Sequence, residues 1–172
     1  MAEVVFFQAL SQDGFVTDAD GSVAWQGPYF IPELGFHDFI AGVSAVIMAR
    51  ATYDKIAAAD SKWPYGAIPG VIPSDTPLAD IGAPVSAVGD DPVVIVAAAR
   101  AKGDGTVWVQ GDTPLAQRLI AAGLVDRLEL FVMPVTLREG SEHFDRNDLP
   151  GFVLASSADF ANGVTKLVYA WA

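Results

Sequence analysis

Short apolar runs rich in β-branched and aromatic residues alternate along this chain with stretches whose apolar positions recur at helical spacing, and turn formers separate the two. Val4 to Leu10 is the first such run, and Ser11-Gln12-Asp13-Gly14 ends it, which predicts a buried strand entering a turn. The stretch that follows carries Asp18, Asp20, Gly21, Gly27 and Pro28 together with Trp25, Tyr29 and Phe30, a long loop with large aromatic side chains on it. After Pro32, the residues Leu34, Phe36, Phe39, Ile40 and Val43 recur at mostly helical spacing, and Gly42 offers a stop before the strand Ala45-Val46-Ile47-Met48.

A second helix is predicted from Arg50 through Tyr53 and Ile56 to about Ala59, followed by a proline- and glycine-rich stretch, Trp63 to Gly70, and a short strand at Val71-Ile72. Asp91-Pro92 pairs an N-cap with a first-turn proline and predicts a helix to about Gly103, against the strand preference of Val93-Val94-Ile95-Val96. Thr106 to Gln110 reads as a strand, and Thr113-Pro114 opens a helix with Leu115, Leu119 and Ile120 on one face and Gly123 as its stop. Leu128 to Val135 is a long apolar strand. Phe152 to Phe160 and Val164 to Trp171 flank Asn162-Gly163, a two-residue hairpin signal. This order predicts one α/β domain over residues 1–172, with a mostly parallel sheet, an antiparallel C-terminal hairpin and no internal repeat.

Composition narrows what such a domain does. At 172 residues the chain buries roughly 70% of its unfolded surface, so its core needs no staples. It has no cysteine, which excludes disulfides, thiolate metal sites and a cysteine nucleophile, and redox chemistry then has to come from a bound cofactor. His37 and His143 are its only histidines, so no zinc cluster and no metal site is expected. A formal charge of −11 repels phosphate backbones and anionic membranes, leaving a small molecule as the expected partner. Met1-Ala2-Glu3 lacks a basic leader, and the uncharged run Phe39 to Ala49 is short of the roughly 20 residues that span a bilayer, so a cytoplasmic location is expected.

The chemistry is expected where strand, tight turn and helix start recur, at Met48-Ala49-Arg50-Ala51-Thr52 and at Gln110-Gly111-Asp112-Thr113-Pro114. Ligands of open α/β sheets collect at the carboxyl ends of strands, where helix N-termini present unpaired N–H groups and a positive dipole end to anions. Arg50 and Thr52 add a cation and a hydroxyl to the first corner, and Gly111 permits close backbone approach at the second, where Asp112 or Thr113 serves as N-cap. Each corner taken alone is equally a structural helix start; two together suit a dinucleotide. Asp18-Ala19-Asp20-Gly21 lacks the ligand series of a calcium loop, and Ser44 lacks the flanking glycines of a nucleophile elbow.

These motifs, in this order, resemble the dihydrofolate reductase fold, and within it the reductase domain of riboflavin biosynthesis and its stand-alone relatives. Ser11-Gln12-Asp13-Gly14 after Ala9-Leu10 resembles the family's Ser-Leu-Asp-Gly opening, with Trp25 after the loop. Met48-Ala49-Arg50-Ala51-Thr52-Tyr53 resembles its Gly-Arg-x-Thr-Tyr cofactor motif. Gly123-Leu124-Val125-Asp126, Pro134, Gly140 and Phe144 resemble its C-terminal signature. The resemblance implies a three-layer α/β sandwich and hydride transfer from NADPH or NADH to a ribosylamino-pyrimidine or another small carbonyl or imine. It places the cofactor phosphates at Arg50, Thr52 and the Gly111-Asp112-Thr113 corner, the adenosine near Ser74, and the nicotinamide against Ala9. The acceptor would lie under the loop, near Trp25 and Phe30.

The chain departs from the family pattern at Ala49 and Gln110, where glycine is usual, and at Asp75, where relatives place a basic residue after the serine. An acidic Asp75 repels a 2′-phosphate and accepts from a ribose 2′-hydroxyl, which favours NADH over NADPH. For proton transfer the candidates are Asp13, Glu33 and His37, with water as the alternative. Two further readings stay open: a dihydrofolate reductase with Glu33 as its acid, and a non-catalytic ligand-binding or dimer-forming domain with degenerate cofactor loops. Leu128 to Val135 and the tail Tyr169-Ala170-Trp171 suit either a homodimer contact or the core.

Overall fold

A computed structural model describes residues 1–59, 62–111, 113–143, 149 and 151–172. Its strands are β1 (Val4–Ser11), β2 (Val43–Met48), β3 (Gly70–Pro73), β4 (Val85–Val88), β5 (Thr106–Gln110), β6 (Arg127–Met133), β7 (Phe152–Asp159) and β8 (Thr165–Trp171). They form a single sheet in the order β4-β3-β2-β5-β1-β6-β8-β7. Pairing is parallel from β4 through to β6, and only β8 runs against its neighbours. The fold is therefore the mixed α/β sheet with an antiparallel C-terminal edge that the element order predicts.

The apolar alternation of β1 assigns the two faces. Val4, Phe6 and Leu10 join a core with helices α3 (Pro92–Arg100) and α4 (Thr113–Ala121), through Ile95, Val96, Ala99, Leu115, Ala116, Leu119 and Ile120. Phe7 and Ala9 point the other way, into a core with Leu34, Tyr53 and the aromatic residues of helices α1 (Phe36–Ala41) and α2 (Arg50–Ala58). The result is three layers, helix pair, sheet and helix pair, with β1 buried along its whole length at the centre. Among the described residues no helix is long and apolar enough to cross a membrane.

Local chemistry decided the ambiguous segments. The β-branched run after Asp91 is helical because Pro92 fits the first turn and the Asp91 carboxylate accepts from Val93 N (2.8 Å) and Val94 N (3.3 Å). α4 ends with Gly123 in the left-handed region (φ 67°), Gly123 N donating to Ile120 O and Leu124 N to Leu119 O, which satisfies the last carbonyls. The predicted helix after Pro32 is shorter than its spacing suggests: a 3-10 turn, Pro32–Leu34, stops at Gly35 (φ 75°), and α1 starts afresh at Phe36. Strand β4 is an element the hydrophobic pattern did not announce, because Val85-Ser86-Ala87-Val88 is short, half-exposed and on the sheet edge.

The terminal hairpin is present, but its turn is not a two-residue Asn-Gly turn. Gly163 N donates to Phe160 O and Phe160 N to Val164 O, so Ala161 and Asn162 form the turn and Gly163 (φ 83°) follows it in the left-handed region. Leu128, Phe131 and Tyr169 are buried within the single chain, and the Trp171 indole N–H donates to Val125 O at 2.8 Å. Leu128, Phe131 and Tyr169 thus belong to the core, whereas Trp171 stays 44% exposed. Since the Asp91 carboxylate accepts from two N–H groups in the first turn of α3, Asp91→Ala should cost about 1 kcal/mol of stability, read as a lower urea midpoint with unchanged slope. An unchanged midpoint would show that the cap contributes nothing.

Candidate functional site

Parallel pairing puts the C-terminal ends of β1, β2, β3 and β5 at one edge of the sheet. There β1 and β5 stay paired only as far as Phe7 and Gln110, whereas β1 and β6 stay paired to Ser11 and Met133. Beyond Phe7 the β5 side of β1 is free, and a cleft of about 1460 Å³ opens between the two strands. Its lining draws on both faces: Phe7, Phe30, Phe36 and Trp108 from the α1 and α2 side, and Leu10, Leu130, Val132 and Tyr169 from the α3 and α4 side. A second cleft of about 450 Å³, lined by Ala49, Arg50, Ser74, Asp75, Asp90 and Arg118 among others, meets the first at Pro114.

The structure brings most of the sequence-derived residues to these two clefts. Ala9, Thr52, Gly111, Thr113 and Phe30 line the large one; Arg50, Ser74 and Asp75 line the small one. Asp112 and Phe144 lie outside the described residues. Trp25 is half-buried and packs on the α1 and α2 core without lining either cleft. Glu33 and His37 are exposed on the 3-10 turn and on α1 and line neither cleft. The geometry gives these two no access to a group bound there.

Asp13 lines the large cleft, but its oxygens are already engaged. Oδ1 accepts from Ser11 Oγ at 2.6 Å and from Leu137 N at 3.1 Å, and Oδ2 accepts from Arg138 N at 2.8 Å. The Ser11 hydroxyl above all, helped by the two backbone donors, holds this carboxyl below the ordinary carboxylate range. Asp13 is thus an ionised tie between the end of β1 and the strand-following loop, a poor proton donor at neutral pH. The same loop is clamped over the mouth by Val16 N to Ser141 O (2.7 Å) and His143 N to Gly14 O (2.8 Å). Gly140 (φ 138°) permits this closure, because a Cβ there would overlap the Thr17 carbonyl.

Do these residues fit a dinucleotide? α3 satisfies its own first turn through Asp91, but α2 begins at Ala49, which offers no side-chain acceptor. Thr52 N and Tyr53 N donate to Ala49 O (3.1 Å each), while Arg50, Ala51 and Thr52 of this first turn line the two clefts and set the positive end of the helix beside them. At Gly111 (φ 61°) the nearest atom a Cβ would meet is Gln8 Oε1, at 3.7 Å, so the backbone is open on its cleft side. Lys55, on the same helix as Thr52, adds a cation to the lining. The Arg50 guanidinium spans the small cleft, donating to Ser74 Oγ (2.7 Å), Thr76 Oγ1 (2.8 Å) and Asp54 Oδ1 (2.8 Å). An elongated polyanionic ligand with a flat group at one end fits this set.

Three lining residues escaped sequence reasoning. Gln8 is 5% exposed; its Nε2 donates to Ala9 O at 2.6 Å, while its Oε1 is buried without a partner. A glutamine within the apolar run Val4 to Leu10 was the signal. Gln110 counted only as a missing glycine, and Trp108 only as strand, yet Gln110 Oε1 and Trp108 Nε1 are also buried without partners. His143 lies parallel to the Phe6 ring (7°, centroids 6.1 Å apart), and burial holds its imidazole near pKa 4.

The sequence profile of the RibD C-terminal domain matches residues 2–166, and the chain belongs to that family. A candidate riboflavin biosynthesis protein from Shewanella sp. PV-4 is 25% identical, with a TM-score of 0.80 over 100% of this chain and 99% of that one. A diaminohydroxyphosphoribosylaminopyrimidine deaminase/5-amino-6-(5-phosphoribosylamino)uracil reductase from Thermotoga maritima is 13% identical, with a TM-score of 0.70 over 99% of this chain and 57% of that one. Dihydrofolate reductase from Enterococcus faecalis, solved with NADP(H), is 16% identical, with a TM-score of 0.68 over 98% and 96%. The fold is that of the dihydrofolate reductase-like proteins.

The buried imidazole yields a pH prediction. His143 takes up a proton near pH 4 when folded and near 6.5 when unfolded, so between those values the unfolded chain binds more protons. Stability from this residue is complete above pH 6.5 and drains away as pH falls to 4. The thermal midpoint should drop across that window, and the His143 ring resonance should titrate near 4; a ring titrating near 6.5 would contradict the assignment.

Proposed function

We propose that this chain is a nicotinamide-dependent reductase that delivers hydride to a small heterocyclic acceptor. The observation that carries this reading is the continuous pair of clefts, whose uncapped helix start, open Gly111 backbone and flat aromatic wall stand in the order that phosphates and a ring would require. Family membership and the NADP(H)-bound neighbour of the same fold support it. When bound, the nicotinamide supplies the hydride; the protein supplies binding, orientation and shelter from water.

In this reading Thr52, Thr113, the Gly111 backbone and Lys55 hold the phosphates, Arg50 and Ser74 border the adenosine, and Ala9 supports the ring. The acceptor lies against Phe7, Phe30, Phe36 and Trp108. The ribosylamino-pyrimidine that the Thermotoga enzyme's name implies is one acceptor of this kind. Asp13 shapes the mouth of the cleft, and water supplies the proton that follows the hydride, since Glu33 and His37 are out of reach. A folate reductase reading loses its acid for the same reason.

The small cleft favours NADH. Its two arginines are already paired with carboxylates, Arg50 with Asp54 (2.8 Å) and Arg118 with Asp90 (2.9 Å), and exposed Asp75 adds another negative charge. A 2′-phosphate meets no unpaired cation among the described lining residues, whereas a 2′-hydroxyl meets acceptors. Calorimetric titration should show NADH binding about tenfold tighter than NADPH, a 1.4 kcal/mol preference, and Thr52→Val should weaken NADH by a similar factor. A strong NADPH preference would overturn the specificity argument. Failure of both to bind at millimolar concentration would replace the reductase with a ligand-binding domain that kept the fold.

A further inference from the structure

The carbonyls of β1 and of the residue before it turn alternately to the two neighbouring strands: Val107 N donates to Glu3 O and Asp126 N to Val4 O, at 2.8 Å each. The carbonyls of Val5, Phe7 and Ala9 therefore face β5. Because β1 and β5 stay in register only as far as Phe7 and Gln110, Ala9 O is the first carbonyl on that side past the end of the pairing. Ala9 lines the large cleft and is 3% exposed, and a backbone acceptor so placed needs a partner.

The donor comes from its own strand. Gln8 Nε2 donates to Ala9 O at 2.6 Å, and Gln8 is 5% exposed within the otherwise apolar run Val4 to Leu10. The same amide reaches the β5 corner, since a Cβ on Gly111 would stand 3.7 Å from Gln8 Oε1. That oxygen is buried without a partner, so an unbranched apolar side chain of equal length would fill the space and strand no side-chain atom. Ala9 O would then take its partner from water in the cleft. A ring laid against Ala9 would have to expel that water and leave the carbonyl bare, whereas with Gln8 in place the carbonyl keeps its donor.

We propose that Gln8 is a positioning residue for the nicotinamide: it satisfies Ala9 O from within the chain, holds the parted end of β1 ready in the empty protein, and lets a flat ring lie against Ala9 without stranding a carbonyl. The inference rests on the reading of the large cleft as a nicotinamide site. It adds to that reading a side chain that acts through Ala9 at the ring end of the ligand, and a reason for a glutamine in the most deeply buried strand of the sheet.

Gln8→Met keeps the length and the burial of the side chain and removes its amide. Calorimetry on the full chain compares NADH with ADP-ribose, which has the same adenosine and phosphates but no nicotinamide. Gln8→Met should weaken NADH about tenfold and leave ADP-ribose unchanged, with a thermal midpoint no lower than that of the wild type. A glutamine that only supports the fold would lower the midpoint and change both ligands alike; that result, or an NADH affinity equal to the wild type's, overturns the proposal. Should Gln8→Met fail to fold, the wild type decides: in the ligand-free chain one Gln8 side-chain amide proton, held by Ala9 O, should exchange slowly with solvent, and rapid exchange of both overturns the proposal. Equal NADH affinity in wild type and variant sinks the positioning role and leaves the reductase reading intact, whereas a wild type that binds neither NADH nor ADP-ribose sinks the reductase reading and the positioning role with it.

Discussion

The pairing between β1 and β5 ends at Phe7 and Gln110, while β1 continues along β6 for four more residues, to Ser11. Full pairing would close the sheet and leave its C-terminal edge a plain rim. Release on one side instead leaves the last turn of strand open to both faces at once, so Phe7 and Trp108 on one face and Leu10 and Tyr169 on the other line the same space. Because all the parallel strands end at that rim, the helices that follow them begin there too, and their N-termini bring backbone donors to the opening.

Which of those helix starts serves a ligand is decided by ordinary capping chemistry. α3 closes its first turn with Asp91, so it is finished structurally. α2 has alanine at the same position and no side-chain cap, and its own Thr52 and Lys55 line the large cleft beside that open start. The same contrast holds inside the core. Glu129 is buried but fully engaged by Arg127 (3.1 Å) and Lys166 (2.6 Å), whereas Gln8, Trp108 and Gln110 keep buried polar atoms without partners, all of them at the cleft. Trp25 Nε1 and Arg127 Nε are also buried without partners and lie away from the cleft, so the three cleft groups stand out by their position and not by being alone.

Much of this was legible in the chain. Long apolar runs announced β1, β2, β5 and β6, because strands buried on both faces need no alternation. Thr113-Pro114 and Gly123 marked α4 at both ends, and the Arg50 and Gly111 corners were found because strand, turn and helix start leave a local imprint. What escaped was set by tertiary context. β4 has too few residues and too little burial to show a period, and the Asn162-Gly163 dipeptide signals a turn without fixing which residues occupy its centre. Trp25 looked like a wall of the acceptor site, but its direction depends on how the loop packs. Glu33 and His37 belong to the segment expected to border the acceptor, yet both are exposed and line neither cleft. The unpaired atoms of Gln8, Trp108 and Gln110 exist only relative to neighbours distant in sequence.

If the start of α2, which has no side-chain cap, and the Gly111 corner receive the anionic part of a dinucleotide, and the Asp91-capped start of α3 does not, the backbone amides there will report it. Hydrogen exchange of backbone amides with and without NADH measures this directly, since each first-turn N–H reports its own protection. Exchange should slow at the starts of α2 and α4 and at Gly111 on addition of NADH, with the Asp91-capped start of α3 unchanged. Protection spread equally over all three helix starts, or absent from α2 and α4, would contradict it.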